Sequence, residues 1–231
     1  MDNYFIWNDI NSLSQDIYCS NPKITIPKRD YEKVVIPGRS GFYAVDNGSY
    51  STVVKSLECR LRDNTRIESI ALWLNGSGKV IFSDEAQFYY KGVINQALPI
   101  ERLLERYRAF MLTFDCQPFK YKVSEQNDKL TITKSPFNFL GQGTFWAAPV
   151  ITIYGSGNIN ITVNGELIQL TDVNGHITIN SEVMDCYKDG VNANMQMVGE
   201  FPKLRENGQL NAISYTGNVS KIEVIPSWRW L

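Results

Sequence analysis

Val53-Val54-Lys55-Ser56-Leu57-Glu58-Cys59-Arg60-Leu61-Arg62 is the stretch whose reading sets the fold class. Val53, Lys55, Leu57, Cys59 and Leu61 fall on one side, and Val54, Ser56, Glu58, Arg60 and Arg62 on the other. Side chains alternate across a strand every second residue, so this pattern predicts a half-buried β-strand. Cys59 lies on the apolar side and reads as a core residue rather than a reactive one.

Immediately downstream the period changes. Thr65 and Glu68 form a capping box, and Ile67, Ile70, Ala71 and Leu74 make one apolar stripe, which predicts a helix. Asn75-Gly76 ends it. Lys79–Phe82 and Phe88–Ile94 then read as strands. Ile100–Phe114 fits two patterns. Leu103, Leu104, Tyr107, Phe110 and Met111 suit a helix stripe, whereas Leu104, Phe110, Leu112, Phe114 and Cys116 suit alternation. Propensity favours helix over Pro99–Arg108 and strand over Ala109–Cys116.

Ser135-Pro136 and Gly141-Gln142-Gly143 mark a linker. Beyond it, short alternating runs (Ile151 and Ile153; Ile159, Ile161 and Val163; Ile168 and Leu170; Ile177 and Ile179) are separated by turn residues. Asn164-Gly165 and Asn174-Gly175 are strong hairpin signals, because type I′ turns need positive φ at both central positions. Late strands near Ala212–Tyr215 and Val219–Ile225 flank Thr216-Gly217-Asn218. Closely spaced strands of this kind predict a β-sandwich. The expected fold class is mainly β: a β-rich α+β N-terminal module with one helix over residues 1–136, then a sandwich over 137–231.

Composition narrows function mainly by exclusion. The 231 residues carry a net charge of -1, four cysteines and one histidine. Near-neutral charge argues against a basic nucleic-acid binder. A lone histidine removes schemes that need two. Cys19, Cys59, Cys116 and Cys186 lie at least 40 residues apart, which suits neither a zinc ribbon nor a dense disulfide framework. The N-terminus lacks a charged region followed by an apolar one, and no apolar run approaches the length of a membrane span, so a soluble chain with reduced cysteines is expected. No catalytic, cofactor or metal residues are assigned. Gly76-Ser77-Gly78-Lys79 superficially resembles a phosphate loop, but Val80 replaces the magnesium-binding hydroxyl and the loop runs from helix to strand. His176 alternates with Ile177 and Ile179 and is expected to face solvent. Asn-x-Ser/Thr triplets at Asn47, Asn75, Asn160 and Asn218 read as chance matches. Trp146, Trp228 and Trp230 are candidates for sugar or partner contact, with core packing as the competing explanation. The alternative function on that reading is a carbohydrate-binding β-sandwich module for cell-surface attachment.

An ordered set of strings points further. Arg29-Asp30-Tyr31-Glu32, then Ile36-Pro37-Gly38-Arg39-Ser40-Gly41 and the short turn Asn47-Gly48, resemble the N-terminal module of phage distal tail (Dit) proteins. Trp73-Leu74, Val80-Ile81-Phe82-Ser83-Asp84, Tyr89-Tyr90-Lys91 and Phe114-Asp115-Cys116-Gln117-Pro118-Phe119 follow in the family's order. So do Gly155-Ser156-Gly157, Ile161-x-Val163-Asn164-Gly165, Cys186-Tyr187, Gly199-Glu200-Phe201-Pro202 and Ile225-Pro226-x-Trp228-Arg229. The resemblance spans nearly the whole chain. It implies that the sandwich is galectin-like and that the segment leading to Phe114 is a long strand. It also implies a structural virion role: a homo-hexamer at the distal end of the tail, assembled in the host cytoplasm. That ring would lie between a tail tube protein and a tail-associated hub protein, with a lumen for DNA and outward faces for receptor-binding or other baseplate proteins. Neither sequence-specific nucleic-acid binding nor membrane insertion is implied. Gly38 and Gly41 would serve the turn's backbone geometry. Arg39 would either contact a neighbouring protomer or be held in an intrachain salt bridge.

Overall fold

A computed structural model of the chain describes residues 3–22, 25–62, 67–94, 101–104 and 107–231. The chain divides between Val123 and Ser124 into two units. The first contains strands β1 (Phe5–Trp7), β2 (Ile10–Asn11), β3 (Ile17–Cys19), β4 (Arg29–Val34), β5 (Tyr43–Tyr50) and β6 (Val53–Leu61), then helix α1 (Ile67–Trp73). It continues with β7 (Gly76–Phe82), β8 (Phe88–Ile94), β9 (Glu101–Leu104) and β10 (Tyr107–Lys122). Antiparallel pairing gives the order β2-β1-β7-β8-β10-β6-β3, with β9 also on β10, while β4 and β5 form a separate two-stranded ribbon.

Strand β6 buries Val53, Lys55, Leu57, Cys59 and Leu61, as its alternation predicts. It pairs with β10 from Leu61↔Arg108 to Val53↔Cys116. That register sends Phe110, Leu112, Phe114 and Cys116 into the same core. Phe114 is the hub: its ring lies 5.5 Å from Phe5, 5.4 Å from Trp7 and 5.7 Å from Phe82, mostly edge to face. Such contacts add to the area that each ring removes from water. Helix α1 closes one side of this core with Ile70 and Leu74, but Ala71 is exposed. Trp73 takes the place expected of Ala71, stacking on Phe5 at 5.8 Å and donating from Nε1 to the Trp7 carbonyl at 3.2 Å. Thr65, and with it the expected capping box, lies outside the described residues. So do 95–100 and 105–106; the described parts of Ile100–Phe114 are strand, which removes the helical stripe. Gly76-Ser77-Gly78-Lys79 opens β7 as ladder, with Lys79 N–H donating to Asn8 Oδ1 at 3.0 Å, so it forms no phosphate cradle.

The second unit contains β11 (Leu130–Ile132), β12 (Phe137–Leu140), β13 (Val150–Val163), β14 (Glu166–Asn180), β15 (Asp185–Lys188), β16 (Val191–Asn192), β17 (Met197–Val198) and β18 (Leu210–Ile225). Strand β13 lies between β14 and β18 and pairs with both along most of its length. Here the structure corrects the expectation of many short strands. The runs Ile151–Ile153 and Ile159–Val163 are one strand; so are Ile168–Leu170 and Ile177–Ile179, and so are the two late segments. Asn164-Gly165 is a hairpin turn, with φ of 53° and 98°. Asn174-Gly175 and Thr216-Gly217-Asn218 are not turns between strands. They lie inside β14 and β18, directly beside Gly155-Ser156-Gly157 of β13.

These three segments form a line across the sheet where each long strand bends. The pairing slips by bulges there, between Gly157 and Ile159 against β14 and between Ser156 and Asn160 against β18. A bulge increases twist and turns the strand. Ile151 and Ile153 before the bend, and Ile159, Ile161 and Val163 after it, therefore enter one core with Ile168, Leu170, Ile177, Ile179, Ile213, Ile222 and Val224. The bend leaves no space at two positions. A Cβ on Gly155 would lie 2.3 Å from the Asn218 carbonyl oxygen, and one on Gly217, which has φ of +107°, would lie 2.6 Å from that of Asn158. Both clashes are with backbone, which cannot swing aside as a flexible side chain can. Gly155→Ala is expected to destabilise the second unit by about 1–3 kcal/mol; an unchanged urea midpoint would show that this approach is not required.

Candidate functional site

The β4–β5 ribbon is the least covered element of the described chain. Among the described residues its two strands pair only with each other, from Val34↔Tyr43 to Arg29↔Tyr50. A lone two-stranded ribbon is marginally stable in water, and this one is held by local contacts. Arg29 grips Asp46 with two nitrogens, Nη2 at 2.6 Å from Oδ2 and Nε at 3.0 Å from Oδ1. Asp46 Oδ1 also accepts from Gly48 N–H at 2.9 Å. These partners lower the Asp46 pKa, the Gly48 hydrogen bond contributing most. Asn47-Gly48 is thus a bulge within β5, not a turn leading into another strand. At the base, Tyr50 meets Phe119 of β10 edge to face at 5.8 Å.

The tip places three residues singled out from sequence. Arg39 N–H donates to the Ile36 carbonyl at 3.1 Å, and Gly38 has φ of +81°. Pro at the second and Gly at the third position is what a type II turn demands. Gly41 also has positive φ, +87°. Arg39 is exposed and makes no ion pair among the described residues. What sequence reasoning missed is the exposed apolar surface along the ribbon. Val35, Phe42 and Tyr43 are 73 %, 53 % and 56 % exposed, and Tyr31, Ile36 and Val45 are also exposed. Apolar side chains on a ribbon with unpaired edges form a surface that association would cover. Alternation could have placed strands here, but not the absence of a layer behind them.

The three tryptophans have different surroundings. Trp228 is 4 % exposed and belongs to the second core, 6.4 Å from Phe139. Trp230 is half-buried and packs against that core. The Trp146 ring is covered by the Arg229 guanidinium at 3.9 Å and by Lys203 Nζ at 4.7 Å. Arg229 also donates from Nε and Nη2 to the Trp146 carbonyl at 2.9 and 2.6 Å. His176 is partly exposed, with Nε2 3.3 Å from Asp189 Oδ1. Cys59, Cys116 and Cys186 are buried and Cys19 half-buried, all as free thiols. Among the described residues no group of His, Cys, Asp and Glu is arranged to hold a metal, and no helix is long and apolar enough to cross a membrane.

One electrostatic cluster stands out on the second unit. Glu223 on β18 accepts from Lys129 at 2.8 Å, Lys221 at 2.7 Å and the Tyr154 hydroxyl at 3.1 Å. The two ammonium groups lead in pulling its pKa from 4.5 down to about 2. A depressed carboxylate pKa adds stability above the unfolded value and loses it as pH falls through the folded one. The difference in stability between wild type and Glu223→Gln should therefore be full above about pH 4.5 and disappear by about pH 2. Thermal unfolding across that range checks it, and a difference independent of pH would contradict the cluster.

No family model matches the chain, and no curated protein is significantly similar to it. Among solved structures, the crystal structure of the phage SPP1 protein Dit (gp 19.1) matches over 100 % of both chains, with a TM-score of 0.78 and 14 % identity. That protein is described as a paradigm of the hub adsorption apparatus in phages that infect Gram-positive bacteria. Along its full length this chain has the fold of a Dit protein.

Proposed function

We propose that the chain is a structural component of a phage tail, a distal tail adaptor that forms a hexameric ring through its N-terminal unit. The observation that carries this reading is the β4–β5 ribbon: an apolar, two-edged element with no layer behind it among the described residues, in a fold shared end to end with a hub adsorption protein. A closed ring needs a heterologous interface, in which one surface of a protomer meets a different surface of the next. A projecting ribbon suits that geometry, and Gly38, Arg39 and Gly41 at its tip are proposed contact residues. In this reading the ring joins the tail tube protein to the tail-associated hub protein. The second unit faces outward, where receptor-binding or other baseplate proteins attach. The lumen passes DNA at ejection, and a net charge of -1 suits a channel that should not retain phosphates. The role requires no catalytic group.

Native mass spectrometry of the purified chain, alone and with its tube and hub partners, tests the assembly. A species of six times 26.3 kDa is expected. Replacing Val35, Phe42 and Tyr43 together by serine should leave the circular dichroism of the units intact and abolish the ring, because these side chains lie outside both cores. A wild-type chain that stays monomeric with both partners present would reject the proposal.

A further inference from the structure

Two of the four cysteines face each other across a strand pair. Strand β3 is the edge of its sheet and pairs with β6 as Ile17↔Leu61, Tyr18↔Arg60 and Cys19↔Cys59. Backbone bonds at either end fix the phase of this ladder. Ser20 N–H donates to the Glu58 carbonyl at 2.9 Å, and Arg62 N–H to that of Asp16 at 3.1 Å. Hydrogen-bonded and non-hydrogen-bonded pairs alternate along an antiparallel ladder. Ser20–Glu58 and Asp16–Arg62 are hydrogen-bonded positions, so Cys19–Cys59 is a non-hydrogen-bonded one. In such a pair the Cα atoms lie about 4.5 Å apart and the side chains are at their closest. A disulfide spans Cα separations of roughly 4.4–6.8 Å. Both thiols lie on the same side of the sheet: Cys59 is part of the first core and Cys19 packs against it. The other two cysteines have no such counterpart, since Cys116 is opposite Val53 and Gly92, and Cys186 opposite Ile179.

We propose that Cys19 and Cys59 are a disulfide-forming pair, reduced in this structure and closed by thiol–disulfide exchange with oxidised glutathione or a similar small disulfide. The Cys19 thiolate attacks one glutathione sulfur and expels the other as a thiolate. The Cys59 thiolate then attacks Cys19 Sγ in that mixed disulfide and expels the second glutathione. One S–S bond breaks and one forms, and the two protons lost by the cysteines end on the two glutathione thiolates. Cys19 is the entry point because it is only half-buried, whereas Cys59 is 1 % exposed. Burial, aided by Asp84, pushes the Cys19 thiol up to about 11, and burial raises that of Cys59 as well. Few thiolates are present near neutral pH, so closure is slow, and in a reducing medium the pair stays open. The bond closes a covalent loop over residues 20–58, the segment that carries the β4–β5 ribbon. It ties the short edge strand β3 to the long strand β6 at the two ends of that segment. The inference rests on the register of β3 and β6 and not on ring formation.

The full chain is incubated with oxidised glutathione at mildly alkaline pH, then digested without reductant for mass spectrometry. A second sample, refolded from urea in the same buffer, removes slow access to the buried thiol as an obstacle. A peptide pair joined through Cys19 and Cys59 is expected as the main oxidised species, with Cys116 and Cys186 recovered as thiols. The joined form should unfold about 5–10 °C above the reduced one, because the cross-link restricts the unfolded chain. Dithiothreitol should reverse that rise, and Cys19→Ser should show neither the joined peptide nor the shift. The wild-type digest carries the result even where the variant folds poorly. The joined peptide together with the reversible rise supports the pair. Free thiols at both positions in both samples, a mixed disulfide at Cys19 that never resolves, or cross-links made elsewhere instead would overturn it. So would an unfolding midpoint that the bond leaves unchanged or lowers.

Discussion

A strand that bends must still keep one face dry along its whole length, and the second unit is organised around that constraint. Strand β13 buries Ile151 and Ile153 on one side of its bend and Ile159, Ile161 and Val163 on the other. Its neighbours do not keep a single parity: β14 buries Ile168 and Leu170, then Val173, Ile177 and Ile179. The change from even to odd positions is made by the bulge around Asp172, which takes φ of 52°. Without the extra residue, half of the strand would turn its isoleucines to water. The close backbone approaches at Gly155 and Gly217 follow from the same bend.

The first unit satisfies the constraint more simply. Strands β6 and β10 run without a bulge from Leu61↔Arg108 to Val53↔Cys116, so their alternations stay in phase and feed one core around Phe114. Two departures from a dry interior stand out. The β4–β5 ribbon has apolar side chains and no core, which makes it an element suited to completion by association. Lys55 keeps the alternation of β6 but places an ammonium where its neighbours place Val53 and Leu57. In both cases the local rule of the strand is obeyed.

Much of this was legible in the residue order. Period-two runs located β6, β13, β14 and β18, and the stripe of Ile67, Ile70, Ala71 and Leu74 located α1, although Ala71 is exposed. Where the reading went wrong, the same chemistry served two purposes. Positive φ makes Asn164-Gly165 a hairpin turn, and it equally makes Asn174-Gly175 part of a bend inside a continuous strand. Trp228 closes the core and Trp146 lies beneath two cations. Aromatic content near a sandwich does not distinguish a stacking platform from packing, because the distinction depends on what approaches the ring from elsewhere in the chain.

The sequence by itself determined a mainly β chain of near-neutral charge and the buried face of β6 with Lys55 on it. Each follows from local sterics or from side-chain period, which neighbouring residues set. Only the tertiary structure decided that the turn signals at residues 155–157, 174–175 and 216–218 align into one bend. Only it left the ribbon uncovered among the described residues and brought Glu85, Lys120 and Tyr90 beside Lys55. Those outcomes depend on register between strands as distant as β6 and β10, where burial is the sum of contacts no single segment contains.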